Sequence, residues 1–210
     1  MGAREKILEA SIKLFNENRA TNVSTVQIAN AIDISTGNLY YHFKNKEHII
    51  RTIWSEEIVP RMDKIFYDKE LMMSESGILQ FFTRLVKYTY RYRFFYLEIY
   101  SLLLNDPELR QSYMERANAL AGQIGIIFDT WISIGIMEPI GEAEKKFLSE
   151  NCWTLGQTWI TYAEITHKDA PIKEMALDEI MHIYHVLKPY FTDTANERIQ
   201  RLMELVKCDL

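Results

Sequence analysis

Near the start of the chain, apolar residues recur at intervals of three and four, the spacing of an α-helix. Each group of apolar residues follows a residue that favours the start of a helix. Ser24 with Gln27 three residues later matches a capping box, in which side chains satisfy the backbone donors of a first helical turn. Ser35 and Asn45 precede two further clusters and are typical N-cap residues. The pattern predicts three successive helices. Their first residues are expected to be Thr25, Thr36 and Lys46.

The second of these helices has an inward and an outward side. Leu39 and Phe43 lie four residues apart and can anchor the helix to a core, whereas the residues around them have mainly polar tips. Two short helices at a steep angle, with hydrogen-bond donors on the outer side of the second, form a helix-turn-helix unit. The second helix of such a unit lies in the DNA major groove. The stretch from Ser24 to Ile50 therefore predicts a DNA-binding element.

The same stretch carries a longer signature at fixed spacing. Its positions are Val26, Ile28, Ala29, Ala31, Ile34, Ser35, Gly37, Leu39, Tyr40, His42, Phe43, Lys46 and Glu47. This string resembles the N-terminal signature of the TetR family of bacterial transcriptional repressors. The resemblance implies a DNA-binding domain over residues 1–50 and an all-helical domain for ligand binding and dimerisation over residues 51–210.

Candidate DNA contacts lie on the predicted recognition helix and its flanks. Early residues of such a helix contact base edges, and flanking residues contact phosphates. The base-edge candidates are Thr36, Gly37, Asn38 and Tyr41, and the phosphate candidates are Thr25, Gln27, Tyr40, His42 and Lys46. The resemblance implies similar roles for all of these except Gln27. Structural roles remain open: Tyr40 bracing the helices, Gly37 serving packing, His42 capping a carbonyl and Lys46 being a solvated charge.

The rest of the chain also has helical periodicity, with prolines and glycines at the joints. No alternating strand pattern and no glycine-rich phosphate loop is present in the sequence. An all-α fold is predicted, in which Pro60 kinks or ends the helix that begins at Lys46. Later helices are expected from about Ser74 through the aromatic segment, over Glu108–Ser133, over Glu142–Thr166, after Pro171 and over Asn196–Val206.

Aromatic residues in the middle of the chain are candidates for an effector pocket. They recur at helical spacing, which is also typical of ordinary core packing, and both interpretations stay open. A pocket of this kind would suit a small apolar or aromatic molecule. The candidate ligand-binding residues are Tyr88, Tyr92, Tyr96, Tyr100, Phe128, Trp131, Asn151 and Trp159.

The resemblance also implies a homodimer, since the family builds its four-helix dimer interface from the last two long helices. Here these correspond to about Glu144–Thr166 and Lys173–Leu187. Their apolar residues can face a partner or the protomer core, and periodicity does not decide between the two. A dimer with two recognition helices reads a palindromic site. The interface candidates are Phe147, Leu148, Leu155, Ile180, Ile183, Tyr184 and Leu187.

Charge and composition fit this division. The 210 residues carry a net charge of −5. Residues 1–51 hold seven basic and five acidic side chains, whereas residues 52–210 hold 17 basic and 24 acidic ones. A mildly basic head on an acidic body suits a protein that meets phosphate at one end. No secretory signal and no long uncharged apolar run is present in the sequence, so a cytoplasmic protein that does not enter membranes is expected.

Metal binding and catalysis have little support in the sequence. Cys152 and Cys208 are too few for a zinc site, and His167, His182 and His185 lack a metal-binding motif. No nucleophile, base and orienting group recur at a known spacing. We expect no metal, no cofactor and no enzymatic activity.

The interpretation is a ligand-responsive transcriptional regulator, a repressor released from DNA when an effector binds. Two alternatives remain from other classes. One is an architectural DNA-binding protein that tolerates any sequence, and the other is a carrier of lipids or small molecules. Loss of specific binding on replacing Asn38 and Tyr41 separates the regulator from both.

Overall fold

The computed structural model describes residues 2–166 and 172–209. Helices dominate both ranges; within them there is no strand beyond an isolated bridge between Met137 and Phe191, which confirms the all-α class. None of the described helices is long and apolar enough to span a bilayer. The α-helices are α1 Ala3–Asn18, α2 Thr25–Ala31, α3 Thr36–His42, α4 Lys46–Thr52, α5 Val59–Phe66, α6 Glu75–Arg91, α7 Arg93–Leu97, α8 Ile99–Asn105, α9 Pro107–Ser133, α10 Glu142–Thr166, α11 Ile172–Leu187 and α12 Asp193–Asp209.

The chain divides into two compact units. Unit 1 contains Met1–Met62 together with Arg91–Tyr113, and unit 2 contains Asp63–Tyr90 together with Met114–Leu210. The predicted DNA-binding head therefore shares its unit with a segment from the middle of the chain.

Local side-chain chemistry starts the three helices of the head, as predicted. The Oγ atom of Ser24 accepts from the backbone N–H of Gln27 (3.2 Å), and Oε1 of Gln27 accepts from the backbone N–H of Ser24 (2.8 Å). Ser35 and Asn45 cap α3 and α4 with their side-chain oxygens. Asp33 takes a positive φ of 55° between α2 and α3, a conformation that Asp tolerates better than most residues. These contacts confirm the capping box and both further caps.

The core of unit 1 joins the head to the later segment. Phe15 of α1 and Phe94 of α7 are fully buried, with their ring centroids 5.1 Å apart. Leu39 and Phe43 are also buried, which confirms the predicted inward side of α3. The head and helix α7 thus bury apolar surface against each other.

Pro60 does not end the helix that begins at Lys46. The chain passes from α4 through a π-helical segment, Ile53–Ile58, directly into α5. Within it, the backbone N–H of Val59 donates to the carbonyl oxygen of Trp54, five residues back. Such a widened turn is a known way to accommodate a local disruption in a helix, and proline disrupts the ladder because it lacks an N–H group.

The aromatic segment is broken where one continuous helix was predicted. Tyr92 and Glu98 leave helical geometry and separate α6, α7 and α8. At the first break, the backbone N–H of Phe94 donates to Oδ1 of Asn16 on α1 (3.0 Å). A partner distant in sequence thus satisfies this donor, which periodicity within the segment cannot indicate.

In unit 2, the loops after α9 and α11 pair with each other. The backbone N–H of Glu138 donates to the carbonyl of Tyr190 (2.8 Å), and that of Thr192 donates to the carbonyl of Ile136 (3.0 Å). The Oγ1 atom of Thr192 also accepts from the N–H of Ala195 (3.3 Å). The last helix consequently begins at Asp193, three residues before its predicted start.

Candidate functional site

The outer side of α3 is open to solvent, as a recognition helix requires. Gly37, Asn38, Tyr40 and Tyr41 are exposed, and the Tyr41 side chain keeps 84% of its surface accessible. Contiguous exposed apolar surface marks interaction sites, and the exposed Tyr41 is next to the exposed Tyr40 on this helix. The other two candidates on this helix, Thr36 and His42, are half-buried.

Gly37 has no close packing neighbour among the described residues. A Cβ atom built at this position would meet only the Oγ of Ser35, at 3.8 Å, which is ordinary contact distance. The structure therefore contradicts the interpretation of Gly37 as a packing residue. Its exposed backbone can approach a binding partner closely.

Tyr40 and Thr25 connect the two helices of the motif. The Tyr40 hydroxyl lies 3.0 Å from Oγ1 of Thr25 at the start of α2. Tyr40 thus braces the helices while half of its surface stays accessible. Gln27 is engaged in the capping box through Oε1, so its side chain is fixed at the same helix start.

An open polar groove of about 380 Å³ lies beside these residues. It runs from the turn before α2 to the start of α4. Lys44 contributes an exposed cation that was not among the predicted contacts, although a basic residue two positions after the end of α3 was a signal. The lining residues are Thr21, Asn22, Val23, Ser24, Thr25, Tyr40, Lys44, Asn45 and Lys46.

Lys46 is not a freely solvated charge. Its Nζ donates to the carbonyl oxygens of Ala20 (2.6 Å) and Thr21 (3.3 Å), in the short 3₁₀ turn Ala20–Asn22. An ammonium group has three N–H donors, so one of them remains for an anion in the groove. Lys46 therefore orders the turn that forms one wall of the groove.

A second residue holds the same turn and was not identified from the sequence. Glu98, between α7 and α8, accepts from the backbone N–H groups of Ala20 (2.5 Å) and Thr21 (3.1 Å) and from the Thr21 hydroxyl (2.7 Å). The turn follows Arg19, whose φ of 72° is unfavourable for a residue with a side chain. Lys46 on the carbonyls and Glu98 on the amides together stabilise this conformation. The only sequence signal was a single acid in an aromatic segment.

Helix α4 is attached to the same middle segment. Arg51 forms an ion pair with Asp106 (2.6 Å) and a longer one with Glu108 (3.3 Å). The indole N–H of Trp54 donates to the Ser112 hydroxyl at 2.9 Å. These polar contacts fix α4 and the π-helical segment after it against the start of α9 within unit 1.

The eight ligand candidates are divided between the two units. In unit 1, Tyr92 and Tyr96 are buried, whereas Tyr100 is 79% exposed. In unit 2, Asn151 is exposed, so neither it nor Tyr100 lines an enclosed cavity of its own unit. The buried candidates of unit 2 are Tyr88, Phe128, Trp131 and Trp159.

Tyr92 serves structure within unit 1. Its hydroxyl donates to Glu57 (3.1 Å) and accepts from Nε of Arg91 (3.2 Å). Burial is the largest influence on this hydroxyl and raises the pKa of Tyr92, while Arg91 opposes the shift. In unit 2, the rings of Phe128 and Trp131 pack 5.8 Å apart.

Most dimer candidates belong to the protomer core. Five of them are buried within unit 2 of a single chain, because they face neighbouring helices of that unit, and they are not available to a partner. These five are Leu148, Ile180, Ile183, Tyr184 and Leu187. Leu155 is half-buried, and Phe147 is 61% exposed.

A different side of α10 is exposed. Its residues follow each other at intervals of three and four, the spacing of a helix–helix seam. Of this side, only Phe147 was among the interface candidates, because several of the other residues are polar. The exposed residues are Phe147, Asn151, Thr154, Thr158, Tyr162 and Ile165.

The remaining candidates for metal or redox chemistry have structural surroundings. The His182 ring lies 4.3 Å from the Trp159 ring, and Nδ1 of His185 lies 2.7 Å from the carbonyl oxygen of Met181. No cluster of three metal-ligating residues occurs within the described ranges, and His167 lies outside them. Burial raises the pKa of the Cys152 thiol to about 12.

Comparison with known proteins identifies the family. A model described as bacterial regulatory proteins of the tetR family matches residues 7–53, and one described as bacterial transcriptional repressor matches residues 61–199. IcaR of Staphylococcus epidermidis, a negative regulator of the icaADBC biofilm operon, is 28% identical. That alignment covers 52% of this chain and 57% of IcaR, so the match spans little more than half of this relative.

Solved structures match over nearly the whole chain. A TetR-family transcriptional regulator from Marinobacter aquaeolei VT8 is 31% identical, with a TM-score of 0.90 and coverage of 98% of this chain and 99% of that one. The SmeT–triclosan complex shares the fold at 15% identity, with a TM-score of 0.63 and coverage of 91% and 93%. Proteins of this family are DNA-binding regulators and not enzymes. The chain therefore belongs to the TetR family of bacterial transcriptional regulators.

Proposed function

We propose that this protein is a homodimeric repressor that binds a palindromic DNA operator and is released by a small apolar or aromatic effector. Residues 1–50 form its DNA-binding domain, and residues 51–210 form the domain for effector binding and dimerisation. The observation that carries the proposal is the exposed outer side of α3, where Tyr41 and Asn38 project from a helix fixed by buried Leu39 and Phe43.

Base contacts come from α3, and phosphate contacts come from its flanks. Asn pairs with adenine through two hydrogen bonds, while Thr and aromatic side chains contact thymine methyl groups. The base-contacting residues are Thr36, Gly37, Asn38 and Tyr41. The phosphate-contacting residues are Thr25, Gln27, Tyr40, His42 and Lys46, with Lys44 added because it lines the polar groove.

Replacing Asn38 and Tyr41 by Ala tests the DNA interface. One good base contact contributes about 1–3 kcal/mol, so loss of the contacts in both half-sites should weaken operator binding at least about 100-fold. Operators would first be selected from random duplex DNA, and affinities then measured by fluorescence anisotropy. Tyr100→Ala is the matched control, because Tyr100 is equally exposed but lies on α8. Unchanged operator affinity in the double variant would reject the proposed interface.

The exposed side of α10 supports the dimer part of the proposal. Ile165 and Phe147 lie on it, 78% and 61% exposed, and such apolar surface on a long helix is typical of a helix–helix interface. Ile165→Glu should convert the dimer to monomer in sedimentation velocity, because it would bury an unpaired carboxylate. Leu104→Glu, at a 63% exposed site on α8, should leave the dimer intact. A dimer that tolerates Ile165→Glu would place the interface elsewhere.

The effector part rests on the aromatic interior of unit 2 and on the family. SmeT, which has this fold, forms a complex with triclosan. Effector binding shifts the equilibrium towards a conformer that no longer fits both half-sites. A screen of apolar and aromatic compounds for release of labelled operator tests this part. A compound that binds tightly but leaves operator affinity unchanged would contradict the release mechanism.

A further inference from the structure

Unit 2 contains a buried acidic side chain that has no role in the DNA-binding and dimer interfaces described above. The Glu179 side chain on α11 is 1% exposed, and neither carboxylate oxygen has a hydrogen-bond partner among the described residues. Glu is almost never fully buried unless it is paired. Burial of an unpaired carboxylate costs several kcal/mol, so an ionised Glu179 needs a partner that the described residues do not supply.

A second unpaired polar group belongs to the neighbouring helix. Trp159 of α10 is 4% exposed, and its indole N–H has no partner among the described residues. His182, one helical turn after Glu179 on α11, lies 4.3 Å from the Trp159 ring, measured between centroids. Trp159 therefore packs against the part of α11 that carries Glu179.

The chemistry of these two groups defines what they would bind. The carboxylate accepts hydrogen bonds and attracts positive charge. The electron-rich ring of Trp159 also favours a nearby cation, whereas its N–H group can only donate to an acceptor. Buried apolar residues lie one helical turn from each group, Ala163 after Trp159 on α10 and Ile183 after Glu179 on α11, and Ile160 beside Trp159 is also buried. The complementary ligand has a positively charged group on an apolar or aromatic body.

We propose that the interior of unit 2 beside Glu179 and Trp159 binds the charged group of an amphipathic organic cation. This deepens the proposed function and rests on it, since it names the chemical class of the effector. Burial alone raises the pKa of the Glu179 carboxyl to about 8 in the unliganded chain. A bound cation would lower this pKa, because its positive charge stabilises the ionised carboxylate that burial disfavours.

The test compares a cation with a neutral molecule of the same shape. Phenyltrimethylammonium and tert-butylbenzene differ in one atom and in charge, and both can be titrated against the full chain by tryptophan fluorescence. The wild-type protein should bind the cation at least about tenfold more tightly than the neutral compound. Glu179→Gln should abolish this preference while binding of the neutral compound is retained. Glu197→Gln, an exposed position on α12, is the charge-matched control and should keep the preference.

A rise in melting temperature on adding the cation gives a second measure of binding, because a ligand that binds the native state stabilises it. Folding of the variants is checked separately. Circular dichroism must show that Glu179→Gln is as helical as the wild type. Wild-type protein that binds neither compound, binds both equally, or keeps its preference after Glu179→Gln would overturn the proposal. An operator-release assay separates the two claims: release by neutral compounds without cation binding would reject this site and leave the repressor function intact. Cation binding without operator release would retain the binding site and reject the proposed release of the repressor through this site.

Discussion

The contact of Glu98 with the turn Ala20–Asn22 leads to a sharp prediction about DNA binding. Glu98 lies outside the helix-turn-helix segment, yet its carboxylate accepts three hydrogen bonds from Ala20 and Thr21. This turn forms one wall of the polar groove beside α3. Glu98→Gln replaces one acceptor oxygen by a donating NH₂ group, so one or two of the three hydrogen bonds are lost.

The size of the effect follows from those contacts. A hydrogen bond to a charged group contributes about 1.5–3 kcal/mol, and partial exposure of Glu98 favours the lower end of this range. Disorder of the turn in both heads of a dimer should therefore weaken DNA binding roughly 10- to 100-fold. Because the groove offers phosphate contacts, specific and non-specific DNA should lose affinity together, and the salt dependence should become less steep.

Fluorescence anisotropy with operator and random duplexes, at several salt concentrations, measures all of these quantities. Glu17→Gln on α1 is the control, since it removes the same charge from an exposed position in the same unit. If Glu98→Gln bound operator within about twofold of wild type, or changed the ratio of specific to non-specific affinity, the reasoning would be refuted. Thermal unfolding of each variant shows whether any loss of affinity merely reflects loss of folded protein.

Three further predictions concern stability and reactivity. Gly77→Ala should destabilise the fold by about 1–3 kcal/mol in denaturant titrations, because its Cβ would lie 2.5 Å from the Leu71 carbonyl oxygen. Gly122→Ala, whose Cβ would have nothing within 4 Å, should instead stabilise the fold by up to about 1 kcal/mol. The raised pKa of Glu179 means that its contribution to stability is present at low pH and lost as pH rises from about 4.5 to about 8. The melting temperature of Glu179→Gln should accordingly exceed that of wild type by more at pH 9 than at pH 5, and a constant difference would contradict this. Cys152, with its pKa raised to about 12, should react with maleimide at neutral pH only after unfolding; rapid labelling of the native chain at this site would disprove it.

The head was readable from the sequence because its determinants are local. Ser24, Ser35 and Asn45 begin their helices through hydrogen bonds that span only three residues. The inward positions Leu39 and Phe43 follow directly from the spacing of one helical turn. Whether the exposed residues on the outer side of α3 contact bases or phosphates stays a prediction, since DNA contacts depend on a partner molecule.

The body was readable only in outline. The helix start predicted at Glu142 was correct, and the one predicted at about Glu108 lies one residue earlier, at Pro107. The breaks at Tyr92 and Glu98 were missed because the backbone N–H of Phe94 and the side chain of Glu98 have partners on α1 and in the turn before α2. Apolar residues on α10 and α11 could face either a partner or the core. Burial of Ile180 and Leu187 decides for the core.

The sequence by itself determined the all-α class, the helix-turn-helix and the family, because caps and periodic spacing act over a few residues. Tertiary structure decided that Lys46 and Glu98 both hydrogen-bond to the turn Ala20–Asn22, one to its carbonyls and the other to its amides. It also decided which side of α10 stays exposed, and that Glu179 is buried with no hydrogen-bond partner in the part of the chain that the structure describes. These features join residues far apart in the chain, and only the packed helices bring such residues to within hydrogen-bonding distance or bury them together.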